Sequence, residues 1–535
     1  MSYRKWIVTA ALTLPMTGAA QAPKPQAFSQ ALRGVMAQPE FQHATFGVEL
    51  YSLDSQAPLF SFNGDKLFTP GSTTKLLTEG TAFRVLGPDY CFHTAVYRTG
   101  EIDKHGTLKG DLILVASGDP NLSGRIQQDG TLAFKDEDHS YGGLDAEVVA
   151  GDPLAVLREF ATQITAQGIH RIDGRMLVDA TLFPAAGREL GTGVFISPIC
   201  VNDNVIDLIV TPGDAAGAPA KVTISPQVSY LKFENKITTG AQGGQADLDD
   251  HTSEDNPDGT HTVELTGSIP VDSKPYLQPY AVHDPIRFAQ VLLEQVLRDK
   301  GIVLAEAKSS AAVDFAQLKK FYTEQNRVAE HVSPPLSEEV KVTLKVSQNL
   351  HASMTPYIVG AVAGHASTKA DAKGFELEHD LLQKAGLDLA GASQADGAGG
   401  ASSAFYTPDF MVHYLAWMAT QPSFDLFHKA LPILGRDGTL VKIQVNDSAA
   451  GHVFAKTGTY GSVDLVNRRL MLVGKGLAGY MTTASGQHLA FALYLNHVSL
   501  PLDTEAANRV AGQALGAIAA AAYQLPIDRS TLDGQ

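Results

Sequence analysis

The sequence predicts a mixed α/β (α+β) fold in which one domain is interrupted by a long insertion. Three observations carry that expectation. Strand and helix patterns coexist near both ends of the chain. A strand-and-turn texture fills residues 91–339. Three short polar motifs, Ser72-Thr73-Thr74-Lys75, Ser347-Gln348-Asn349 and Lys456-Thr457-Gly458, flank that texture in an order that supplies a nucleophile, a proton shuttle and an anion-binding strand.

Residues 1–20 read as an export signal. Arg4 and Lys5 form a basic start, residues 6–16 are apolar, and the small residues Gly18, Ala19, Ala20 and Ala22 follow. Cleavage is expected after Ala20, with 1–22 as the alternative; Pro23 as the first mature residue would resist the peptidase. Residues 46–53 (FGVELYSL) alternate like a half-buried strand, and 59–62 form its hairpin partner. Pro70-Gly71 punctuates the chain. Residues 72–86 then read as a helix, with Leu76, Leu77, Ala82, Phe83 and Val85 on its apolar side.

Within the insertion, strand-like runs such as LKGDLILVASGDP, NVIDLIVTP and HTVELTGSIP alternate with turns. Residues 240–259 are rich in Gly, Asp and Gln without an apolar period, which predicts a long loop. Residues 154–178 and 288–305 each hold a helix that stops at Gly, consistent with a left-handed cap, before a strand. An internal duplication and two ordinary α/β units both fit, and the second is the more common origin. From Ser337 the pattern is helical, through SEEVKVTLKVSQNLHASMTPYIVGAVAG. Further helices are expected over 375–385 and 409–419, on either side of the Gly-rich DGAGGASSAF. Strands HVFAKTGTY, LMLVGKGLAGYMTT and QHLAFALYLNHV follow, and residues 506–523 close the chain as a packed helix.

Composition narrows the function classes. The formal charge of −16 disfavours nucleic-acid binding and adhesion to anionic lipid, and loss of Arg4 and Lys5 with the signal makes it more negative. No later stretch is apolar and long enough to predict a second membrane span. No His-Glu-x-x-His, paired-Cys zinc pattern, P-loop or Gly-x-Ser-x-Gly elbow occurs, so neither metal nor cofactor is expected. Cys91 and Cys200 either bridge in an oxidising compartment or remain unpaired.

The motifs specify chemistry. A serine hydroxyl needs a base, and a lysine three residues on along a helix lies beside it. Lys75 can serve as that base once burial and the charge of Lys456 lower its pKa. Ser347 can relay a proton to a leaving amine, and Asn349 can hold the lysine and a substrate carbonyl. Gly458 permits close backbone approach along a strand. Lys456, Thr457 and Thr459 suit a terminal carboxylate, and the N–H groups of Ser72 and Thr459 suit an oxyanion. Partial copies exist. Ser229-Tyr230-Leu231-Lys232 lies in a strand pattern that would separate its side chains, and Ser61-Phe62-Asn63 and Arg98-Thr99-Gly100 imitate the other two motifs. Order, spacing and local structure distinguish the first set.

That set resembles the penicillin-binding proteins, and more narrowly the D-Ala-D-Ala carboxypeptidase/endopeptidase family of low-molecular-mass class C (S13 peptidases). PGSTTKLLT, ASGDP, IDGRMLVD, ISPICVNDNVIDLIVTP, LPILGRDGTL, AKTGTYGSV and YMTTASGQHLAFALYLN carry the narrower resemblance. It implies a penicillin-binding/β-lactamase-like transpeptidase domain (23–92 and 340–530) with two nested insertions, domain II (93–121 and 220–339) and domain III (122–219). It implies an exported, periplasmic-type enzyme that acts on peptidoglycan stem peptides through an acyl-enzyme on Ser72 and is blocked covalently by β-lactams. The expected catalytic residues are Ser72, Lys75, Ser347, Asn349 and Lys456, with Thr457, Gly458 and Thr459 binding substrate. Three departures stand out. Gln348 replaces a frequent Asp, and DGAGGASS replaces a more usual DGSGLSR. Glu189 is the nearest acid before Phe195, where some relatives hold a diaminopimelate amine, and it stays outside the expected site. The rival readings are a serine β-lactamase or esterase on this fold, and a catalytically silent cell-wall binding protein.

Overall fold

The computed structural model describes residues 24–256, 260–305, 313–503 and 505–525. The signal region therefore lies outside the described residues. At the centre is a five-stranded antiparallel sheet in the order Val453–Asp464, Arg469–Thr482, His488–Leu500, Thr45–Ser52, Ala57–Phe62. The first and last parts of the chain thus share one sheet. Thr45–Ser52 is an inner strand beside the central His488–Leu500, with Val48 opposite Phe62 on one side and Leu493 on the other.

Both faces of this sheet are covered, so its inner strands read as continuous apolar runs. Leu489, Phe491, Leu493 and Leu495 meet Phe28 and Leu32 of the Lys24–Met36 helix and Ile518 of the Gln513–Tyr523 helix. Ala490, Ala492 and Tyr494 face the other way, toward Leu76, Leu77, Met354, Tyr414 and Leu415. A fully buried leucine of this kind stabilises by ~1.5–3 kcal/mol relative to exposure. The Lys75–Val85 helix lies inside that second layer, and its residues 75–83 are all buried. Its expected one-sided apolar pattern is accordingly weak.

Residues between the two catalytic stretches build their own core. Arg327–Val332, His93–Arg98, Leu112–Val115 and Met176–Asp179 form a four-stranded sheet. Val205–Thr211 pairs with Lys221–Ser225 and Tyr276–Ala281. The helices Ala155–Ala166 and Pro285–Asp299 both lead to a glycine with positive φ, Gly168 (79°) and Gly301 (87°). The strands that follow, Arg171–Ile172 and Val303–Leu304, pair in parallel. The two similar units are therefore neighbours in space.

The structure corrects three local expectations. Residues 240–259 are not one long loop, because Asp247–Asp255 is a strand antiparallel to His261–Pro270. It is a polar edge strand, held by main-chain pairing that leaves no apolar period to read. Ser72 is not in the first turn of an α-helix but in a 3-10 turn, Gly71–Thr74, and the α-helix starts at Lys75. The run after Ser337 is two helices, Leu336–Lys345 and Asn349–Val362, broken where Ser347 takes φ of 65°. Cys91 and Cys200 are both free, and Cys200 is buried. Among the described residues no helix is long and apolar enough to cross a membrane.

Candidate active site

Two glycines press the Ser72 turn against the Val453–Asp464 edge strand. A Cβ at Gly71, whose φ is +51°, would lie 2.5 Å from the Thr459 nitrogen. A Cβ at Gly458 would lie 2.0 Å from the Pro70 oxygen. Only glycine allows this approach, which puts the backbone nitrogens of Ser72 and Thr459 on one cleft.

Lys75 lies behind Ser72 and is fully buried. Its Nζ donates to Ser72 Oγ (2.9 Å), Asn349 Oδ1 (2.6 Å) and the Ala398 carbonyl (3.1 Å). Three acceptors match the three donors of an ammonium. Burial nevertheless pushes Lys75 down to about 8, against the upward pull of Glu189, Asp396 and Glu79. Glu79, one turn further along, is pushed up to about 8 by burial and by Glu339.

Ser347 and Asn349 flank the break between two helices. Ser347 Oγ accepts from Lys456 Nζ at 2.8 Å, and Lys456 also donates to the Thr457 carbonyl at 2.9 Å. Burial, then the charges of Lys75 and Lys475, hold Lys456 well below the usual lysine range. Gln348 caps the second helix, its Oε1 accepting from the Leu350 N–H at 2.7 Å. Its Nε2 donates to Ser140 Oγ (3.0 Å) and Asp138 Oδ1 (3.2 Å). Tyr141 donates its hydroxyl to the Ser347 carbonyl at 2.6 Å. The inserted segment thus holds the middle motif in place, and a Gln here spans to it.

The eight expected residues converge on this cleft. Thr457 Oγ1 meets Thr439 Oγ1 at 2.8 Å, and Thr459 Oγ1 accepts from Lys475 Nζ at 2.7 Å. Sequence reasoning missed four contributors: Ala398, Asp396, Tyr141 and Lys475. The Ala398 carbonyl holds Lys75 through the main chain and so has no side-chain signature. Asp396 shapes that loop by accepting from the amides of Ala398, Gly399, Gly400 and Ala401. The available signal was the Asp followed by glycines, since a Cβ at Gly399 would lie 2.0 Å from the Gly71 oxygen. Glu189 lies beside the site, and its carboxylate accepts from the N–H groups of Gly191 and Thr192, both at 2.6 Å. A cavity of about 720 Å³ lined by Tyr51, His413 and Trp417 contains none of the motif residues.

Comparison with known proteins places this geometry. The model of the D-Ala-D-Ala carboxypeptidase 3 (S13) family matches residues 28–520. The chain belongs to the S13 family. A D-alanyl-D-alanine carboxypeptidase of Actinomadura sp. (strain R39) is 28% identical over 488 residues, covering 87% of this chain and 80% of the relative. Penicillin binding protein 4 of Haemophilus influenzae matches in structure with a TM-score of 0.69 at 21% identity, over 92% of this chain and 98% of that one. Its complex with a β-lactam matches with a TM-score of 0.66 at 20% identity, over 94% and 99%. The fold of this S13 chain is therefore of the penicillin-binding type.

Proposed function

We propose that this S13 member is a serine D-Ala-D-Ala carboxypeptidase/endopeptidase that acts on peptidoglycan stem peptides outside the cytoplasmic membrane and is blocked by β-lactams. The observation that carries this is the single chain of contacts from Ser72 Oγ to Lys75, Asn349 and the Ala398 carbonyl, facing Lys456 and Ser347. Neutral Lys75 accepts the Ser72 proton, and Ser72 Oγ attacks the carbonyl of the penultimate D-Ala. The oxyanion is received by the N–H groups of Ser72 and Thr459. Ser347, polarised by Lys456, passes a proton to the leaving amine. Lys456, Thr457 and Thr459 hold the terminal carboxylate, with Gly458 allowing the substrate to lie along the edge strand. Water then releases the acyl group.

The same reading includes the nested organisation, with a catalytic domain at 23–92 and 340–530, domain II at 93–121 and 220–339, and domain III at 122–219. Two facts support it: the central sheet draws strands from both catalytic stretches, and a separate core joins Val96 through Ala329.

Purified protein should release D-Ala from a peptide ending in D-Ala-D-Ala and retain a fluorescent penicillin for many minutes. Ser72→Ala should abolish both while the circular dichroism spectrum is unchanged. Absence of both activities in the wild type refutes the reading, and rapid turnover of the label would identify a β-lactamase instead.

A further inference from the structure

Lys475 belongs to none of the three motifs, yet it lies against the third. It sits opposite Thr459 in the pairing of Val453–Asp464 with Arg469–Thr482 and is almost wholly buried. Its neighbours explain its direction. A Cβ at Gly474 would lie 2.4 Å from the Thr69 oxygen, and one at Gly476 would lie 2.9 Å from Thr73 Cγ2. The Ser72 turn therefore covers that face of the strand, and alternation sends Lys475 to the other. There Nζ donates to Thr459 Oγ1 and to Asn508 Oδ1, both at 2.7 Å. Asn508 belongs to the π-helical turn Ala507–Gly512, a feature that recurs at functional sites.

These contacts have two consequences. A hydroxyl has one proton and two lone pairs. With a lone pair of Thr459 occupied by the ammonium, its proton must turn elsewhere, and Thr459 is exposed on the edge strand. Second, every hydrogen-bond acceptor of Lys475 is neutral, and the same holds for Lys456. Two buried lysines thus flank Thr457 and Thr459 without a hydrogen-bonded carboxylate among the described residues. The one carboxylate whose charge favours the ammonium of Lys475 is Glu505, which is exposed and makes no hydrogen bond to it, so an anion arriving between the two lysines still adds favourable charge pairing.

We propose that Lys475 is a positioning residue that fixes Thr459 as the donor to the terminal carboxylate of the substrate and adds a second positive charge to that subsite. The assignment rests on the carboxypeptidase reading above. Burial brings Lys475 down to about 8, so it remains largely charged at neutral pH.

Acylation rates with a penicillin and with its carboxyl methyl ester test the proposal. Lys475→Met should slow acylation by the penicillin about tenfold to a hundredfold while changing the ester rate little, because a charge-assisted contact is lost only where a carboxylate is present. Lys475→Arg should restore most of the penicillin rate. Equal losses with both compounds, or none, overturn the proposal. Should Lys475→Met fail to fold, Asn508→Asp decides: the exposed new carboxylate neutralises Lys475 and should slow the penicillin alone, and an unchanged rate overturns the assignment. A wild type that no penicillin labels would instead refute the carboxypeptidase reading itself.

Discussion

Lys75 must be protonated to be held by three acceptors and neutral to act as a base, and its position near 8 lets it be either. The acylation rate should therefore rise with pH through about 8 and then level off. Glu189 is the largest of the charges that raise Lys75. Replacing it removes part of that upward pull, so Glu189→Gln should move the rising limb to lower pH, as measured by single-turnover labelling across a pH series. A shift to higher pH would contradict the assignment of Lys75 as base. Single residues were the most legible level of this protein. Ser72, Lys75, Ser347, Asn349 and Lys456 were readable because their chemistry resides in side chains at recognisable spacing. The Ala398 carbonyl was not, because any residue type supplies one.

At the scale of elements, the cleft depends on how closely the Ser72 turn and the edge strand approach. Gly458→Ala would drive a methyl group into the Pro70 carbonyl, a main-chain atom that cannot rotate away. Overpacking of this kind costs about 1–3 kcal/mol. Urea denaturation should show that loss, and penicillin labelling should fall with it because Ser72 and Thr459 are pushed apart. Gln348→Ala removes a helix cap and strips partners from buried Asp138 and Ser140, a cost of about 1–3 kcal/mol by the same measurement. The strand Thr45–Ser52 was legible from its alternation from residue 46 onward, but it is buried on both faces and not half-buried as that alternation implied, because helices cover both sides of the sheet. Element type was obscured at Asp247–Asp255, where main-chain pairing alone makes the strand, and at Ser347, where one residue with positive φ splits an otherwise helical run.

At the scale of the whole molecule, a buried ionic cluster joins the insertion to the catalytic helices. Arg125 donates to Asp138 and Asp203, both at 2.6 Å, and His139 lies between Asp203 and Asp207. His351, on the helix that begins at Asn349, lies between Asp203 and Glu339. These carboxylates outweigh the effect of burial and raise both histidines to about 10. Their folded values exceed the unfolded one, so their stabilisation is complete below about pH 6.5 and is lost as pH rises through about 10. Urea denaturation from pH 6 to 10 should show stability declining, and His351→Asn should flatten that decline. Arg125→Met takes the hydrogen-bonded guanidinium from buried Asp138 and Asp203, of which Asp203 keeps His139 and His351, and should cost about 3–5 kcal/mol. Penicillin labelling should fall as well, because Asp138 also anchors Gln348. None of this cluster was legible in advance, since its members are scattered and each is an ordinary polar residue until the fold brings them together.

The pairing of Thr45–Ser52 with His488–Leu500 also has a bearing on assembly. The Ser72 turn and the strand that carries Thr459 lie far apart along the chain and meet only through that sheet. A chain cut before residue 453 therefore carries Ser72 without Thr459 and Lys456, the partners that complete its cleft. Full-length folding is thus a precondition of the cleft, and a stable fragment of either stretch alone would not label with penicillin.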